Sequence, residues 1–117
     1  MNDAVLCVGS VNPNRERATS SGVGPAVSVV APGVDIFSTF PNYPVTLPGG
    51  GASYTSLSGT SMATPLVSAL AALIWSQRPD FTAQEVAHRI RGTADLLGAA
   101  NEFGSGIINA RSAMEGL

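Results

Sequence analysis

Ser61 is the residue best placed for nucleophilic chemistry, in the run Ser58-Gly59-Thr60-Ser61-Met62-Ala63-Thr64-Pro65. A glycine-containing turn leads there into an uncharged apolar stretch that reads as a helix over residues 61–77. The first N–H groups of a helix have no intrahelical partner, and the helix dipole favours negative charge at that end. A serine hydroxyl there can attack a carbonyl, and the Ser61 N–H can donate to the oxyanion that forms. Gly59 has no side chain and lets a substrate backbone approach closely. Pro65 cannot bond back to the Ser61 carbonyl, which loosens the first turn. Serine and threonine before a helix more often serve as N-caps, and local chemistry leaves both roles open for Thr60 and Ser61. An esterase elbow of the Gly-x-Ser-x-Gly type is excluded, because Ala63 holds the last position.

The other chemistry-bearing residues form no convincing triad with Ser61. His88, the one histidine, lies on a helix opposite the apolar stripe Ala83, Val86, Ala87 and Ile90, so it is expected to face solvent. Asp35, Asp80 and Asp95 sit near loops or helix ends, where local bonding is the common role of aspartate. Cys7 lies in the apolar run Ala4-Val5-Leu6-Cys7-Val8 and is expected to be a small buried hydrophobe. One cysteine and one histidine cannot build a disulfide or a zinc site, so no cofactor or metal is assigned. Gly49-Gly50-Gly51 reads as a flexible link, since no Lys and Ser/Thr follow at phosphate-loop offsets.

The elements that must position Ser61 follow from pattern. Residues 4–8 are a continuous apolar run, read as a strand buried on both faces as in parallel sheets, and residues 27–31 read as a second buried strand. Gly9-Ser10 should stop the first, and Pro32-Gly33 the second. Residues 36–40 read as a third extended piece, 41–51 as a loop and 52–57 as a further extended segment. Thr82 and Glu85 form a capping box that opens a surface helix, with Gly92 as its stop and Arg89 and Arg91 suiting its negative end. Gly104-Ser105-Gly106 turns into a short strand at Ile107-Ile108, and Asn109 caps a terminal helix running to about Glu115.

Composition sets the limits. The 117 residues suit one domain, and 12% charged residues is low against roughly 25% in soluble domains. So little charge suits a chain partly covered by further polypeptide. A net charge of −2 argues against nucleic acid or an anionic membrane as partner. The longest apolar stretch, from Met62 to Trp75, is shorter than the roughly 20 residues that span a bilayer. Met1-Asn2-Asp3 does not open a signal peptide.

Gly59-Thr60-Ser61-Met62-Ala63-Thr64-Pro65 also resembles, residue for residue, the nucleophile motif of the subtilisin-like serine proteases (subtilases, peptidase S8). Further blocks resemble the same family in its order: residues 4–11, the Ala31-Pro32-Gly33 strand and turn, and Gly104-Ser105-Gly106-Ile107-Ile108-Asn109-Ala110. Two departures are Leu66, where the family usually has a non-catalytic histidine, and Ser68, in place of a smaller residue. The resemblance implies a three-layer α/β fold with a parallel central sheet, of which residues 1–117 supply the C-terminal portion. It implies that Ser61 is the catalytic nucleophile of an endopeptidase and that its N–H is one oxyanion donor. The family's histidine base, its aspartate and its oxyanion asparagine belong to segments upstream of those present here. The isolated chain is therefore expected to be inactive, and its partners to be those segments and a peptide or protein substrate. Complete members are extracellular and can carry calcium, for which no ligands are assignable here. A non-catalytic binding or scaffolding module is the alternative, and the intact motif weighs against it. Leu66, Leu70, Leu73, Ile74 and Trp75 spread too far round the helix for one small sheet to cover, so the lone chain should be marginal, partly molten or associated.

Overall fold

A computed structural model describes residues 2–47 and 53–117. Strands β1 (Val8–Val11) and β2 (Val29–Pro32) pair in parallel, with Val8 opposite Val29 and Val11 opposite Pro32. Strands β3 (Ile36–Thr39) and β4 (Tyr54–Leu57) form an antiparallel pair. Four helices follow: α1 (Thr60–Gln77), α2 (Ala83–Gly92), α3 (Ala100–Phe103) and α4 (Ala110–Met114). This is the mixed α/β class expected, with the parallel pair and one covering helical layer among the described residues.

The core lies where α1 meets that pair. Ala63, Val67, Leu70 and Ile74, spaced along one face of α1, are buried with Val29, Ala31, Val86, Ile90 and Ala113. Leu66, Leu73 and Trp75 stay 39%, 51% and 41% exposed, so this one sheet leaves the rest of α1 bare, as expected.

Both central strands are displaced from their expected positions. β1 contains Gly9 and Ser10 because backbone pairing holds it: the Ser28 N–H donates to the Cys7 carbonyl (2.8 Å) and the Gly33 N–H to that of Val11 (3.1 Å). Residues 4–8 are also not buried on both faces. Leu6 and Val8 pack on the core while Val5 and Cys7 alternate outward. Cys7 is therefore exposed in this chain, contrary to its expected burial. Residues 106–108 do not form a named strand and make isolated bridges: Ile107 pairs with Val30 on one side and with Asp95 on the other. The loop over 41–51 is a loop as far as Leu47. Its remainder, the three glycines included, and Ala52 lie outside the described residues.

The α1–α2 corner is stitched by polar groups. The Trp75 Nε1–H donates to the Phe81 carbonyl (2.8 Å), and the Arg78 guanidinium lies 4.3 Å from the Phe81 ring centre. Arg78 also donates to both carboxylate oxygens of Asp80 and holds its pKa below the ordinary value. This exposed pair contributes above the unfolded carboxyl pKa, and the contribution fades as the pH falls through the lowered folded value. Both halves of the capping box are present: the Glu85 N–H donates to Thr82 Oγ1 (3.2 Å) and the Thr82 N–H to Glu85 Oε2 (2.7 Å). Val86, Ala87 and Ile90 are buried as expected, while Ala83 is exposed. Thr82→Ala is expected to cost about 1 kcal/mol, read as a lower unfolding midpoint in denaturant. Asn109 caps α4 through the Ser112 N–H (2.9 Å), and that helix ends at Met114, one residue early. The Arg89 guanidinium donates to the carbonyls of Ser112, Ala113 and Glu115, tying α2 to α4.

Candidate active site

Ser61 occupies the second residue of α1 and is exposed. Its helix begins one residue before the expected start, with Gly59 as N-cap at φ 150° and no side-chain capping bond. Neither Thr60 nor Ser61 is thus the cap. The Met62 and Ala63 N–H groups donate to the Gly59 carbonyl (3.0 and 3.3 Å). Among the described residues, neither the Ser61 N–H nor Ser61 Oγ has a hydrogen-bond partner. One residue thus presents a free hydroxyl and a free amide donor on the positive end of an 18-residue helix. The helix runs on through Pro65, and Thr64 Oγ1 donates to the Thr60 carbonyl (2.8 Å) in the turn that Pro65 loosens.

The turn before the helix is anchored from elsewhere in the fold. The Gly59 N–H donates to the Gly33 carbonyl (2.7 Å), and the Asp35 N–H to Ser58 Oγ (2.8 Å). Asp35 has a positive φ of 53°, which aspartate tolerates better than most residues. Beside Ser61 runs a groove of about 350 Å³, floored by Met62, Pro65 and Leu66 and walled by Ile36, Phe40 and Leu57 of the hairpin region. It is a largely apolar cleft with the Ser61 hydroxyl at its lip, and Ser38, Thr39 and Thr55 of the hairpin also line it. Between Asp35 and Arg78 the sequence carries no charged side chain, so hairpin, turn and helix are all neutral.

The other candidates are employed away from Ser61. His88 is exposed and lines a different concavity, with Phe81, Gln84 and Arg91. Asp80 is bonded to Arg78, and both carboxylate oxygens of Asp95 accept from Asn109 Nδ2 (3.2 Å). Among the described residues no group of three or more His, Cys, Asp or Glu is placed to hold a metal ion. Nor is any described helix long and apolar enough to cross a membrane. Sequence reasoning missed the anchoring role of the turn at Gly33 and Asp35, because hydrogen bonds between distant segments leave no local spacing signal.

The model of the Subtilase family matches residues 2–106. The chain belongs to the subtilase family. Subtilisin DY of Bacillus licheniformis is 42% identical over 113 residues, which are 97% of this chain and 38% of that protein. Subtilisin NAT of Bacillus subtilis subsp. natto is 43% identical over 112 residues, 96% of this chain and 27% of that protein. Among solved structures, MycP1 with its N-terminal propeptide removed superposes with a TM-score of 0.82 at 34% identity, covering 97% of this subtilase chain and 37% of MycP1. This subtilase chain therefore spans well under half of each relative, and the relatives are named as subtilisins and a protease.

Proposed function

We propose that the chain is the C-terminal, nucleophile-bearing segment of a subtilisin-like serine endopeptidase, with Ser61 as nucleophile and its backbone N–H as one oxyanion donor. The observation that carries this reading is the pairing of a free hydroxyl with a free amide on the exposed first turn of α1. Ser61 Oγ attacks the carbonyl carbon of a peptide bond while a histidine base takes the hydroxyl proton, and the tetrahedral oxyanion forms beside the Ser61 N–H. The proton passes to the leaving amine as the carbon–nitrogen bond breaks. Water then releases the acyl group and restores the serine. The apolar groove beside Ser61 receives part of the peptide flanking the scissile bond. An extracellular setting, as for secreted proteases, accompanies this reading.

The base, its aspartate and the second oxyanion donor come from an upstream polypeptide that docks on the bare side of α1. The chain alone then has too few groups for catalysis. The test is reconstitution: purified chain is mixed with the upstream segment of a subtilase that carries the aspartate, histidine and asparagine. A fluorophosphonate probe should label Ser61, and a peptide substrate should be cleaved, only in the mixture. Complex formation with no labelling would sink the proposal. So would cleavage by the chain alone that disappears in Ser61→Ala, since the chain would then hold its own base.

A further inference from the structure

We propose that Gly33 is a positioning residue for the nucleophile, and that the Gly33-Val34-Asp35 turn sets where Ser61 stands. The inference rests on reading Ser61 as the nucleophile, but its test needs no peptidase activity.

The argument begins in the sheet. The Gly33 N–H is held by the carbonyl of Val11, the fully buried last residue of β1. The Gly33 carbonyl, on the same residue, accepts the Gly59 N–H at 2.7 Å. One residue thus links the end of a core strand to the N-cap of α1. Two residues on, the Asp35 N–H grips Ser58 Oγ at 2.8 Å, so the turn before the helix is held at adjacent positions. The Gly59 carbonyl in turn accepts from Met62 and Ala63, which flank Ser61 on its C-terminal side. Any shift of Gly59 is therefore passed to the first turn of the helix.

The separation at this link is fixed by close contact. A Cβ built on Gly33 would overlap Ser10 Oγ and come within 2.7 Å of the Gly59 carbonyl oxygen and 2.9 Å of Ser10 Cβ. Backbone oxygen and strand side chain both press on that point, so an alanine there must push Gly59 away. Ser10 is fully buried and its hydroxyl has no hydrogen-bond partner among the described residues. Its N–H is taken by Ser21 Oγ (3.0 Å), which pins the residue in place. The Ser10 hydroxyl thus contributes shape here, as a wedge beneath the turn, rather than a bond.

A thiol at position 61 reads this geometry without a triad. In a chain carrying Ser61→Cys and Cys7→Ser, the introduced thiol sits on the helix N-terminus, which lowers a cysteine pKa from about 8.5. The rate of iodoacetamide alkylation is measured against pH. Gly33→Ala in this background is expected to raise the thiol midpoint by about one unit, slowing alkylation at neutral pH about tenfold. Ser10→Ala removes the nearer of the obstructions and should recover part of that loss. Ser58→Ala, on an exposed turn, removes only the Asp35 tether and should slow alkylation about threefold, in proportion to a smaller rise in the midpoint. A folded Gly33→Ala chain with the parent midpoint would overturn the proposal, because the glycine would then matter for packing alone. If circular dichroism shows that Gly33→Ala does not fold, Ser58→Ala decides: a raised midpoint supports the proposal and an unmoved one overturns it.

Discussion

Ser61→Ala is expected to abolish peptide cleavage by the reconstituted enzyme while leaving assembly intact. In subtilisin, a relative of this chain and the source of the figure, loss of the triad serine costs about 10⁶-fold in kcat. The same order is expected here, because Ser61 alone among the hydroxyls lining the groove stands on the helix N-terminus with a free backbone N–H beside it. Ser38, Thr39 and Thr55 also line the groove, but they lie on strands β3 and β4, away from the positive end of any helix. Steady-state kinetics at saturating substrate, with complex formation followed separately by size-exclusion chromatography, provides the check. Equal cleavage by the parent and Ser61→Ala complexes would move the chemistry to another residue and favour a scaffolding role for this chain.

The second large effect concerns the bare side of α1. Leu66, Leu73 and Trp75 each leave a large apolar group facing water, and burying one such side chain contributes roughly 1.5–3 kcal/mol. Against the 5–15 kcal/mol that stabilises a typical domain, that is a major share. The isolated chain is expected to associate through this face at micromolar concentration and to melt broadly. Leu66→Gln with Leu73→Gln should convert it to a monomer and weaken its binding to the upstream segment. Light scattering and thermal scans of both chains decide the matter. A parent chain that stays monomeric with one sharp transition would mean that this surface needs no partner.

What the sequence disclosed depended on the range of the interactions. The capping box at Thr82 and Glu85, the cap at Asn109 and the span of α1 were all readable, because each rests on contacts within a few residues. The position of Ser61 was readable for the same reason. The strands were found but misplaced, since β1 is bounded by its pairing with β2 and not by where its own apolar run stops. Cys7 was misjudged because burial on both faces needs a second layer, which Leu6 and Val8 have on their side and Cys7 lacks on its own. α3 went unnoticed because Ala99 supplies no side-chain cap to announce it. The grip of Gly33 on Gly59 joins residues far apart in the chain, so only three-dimensional proximity reveals it.

In the proposed enzyme, the neutrality of the stretch between Asp35 and Arg78 would place the acid and alkaline limits of activity outside this chain's part of the site. Within that stretch there is no Asp, Glu, His, Cys, Lys or Arg, and the remaining titratable side chains are the phenols of Tyr43 and Tyr54. Neither lines the groove at Ser61. In the proposed enzyme, the half of the site built from this chain would therefore present the same electrical face to substrate from mildly acidic to mildly alkaline solution. Optima that differ between enzymes assembled from this half and different upstream halves would belong to the polypeptide that brings the base. Grafting this segment onto another base-bearing half should carry over its nucleophile and leave behind any preference for acid or alkali.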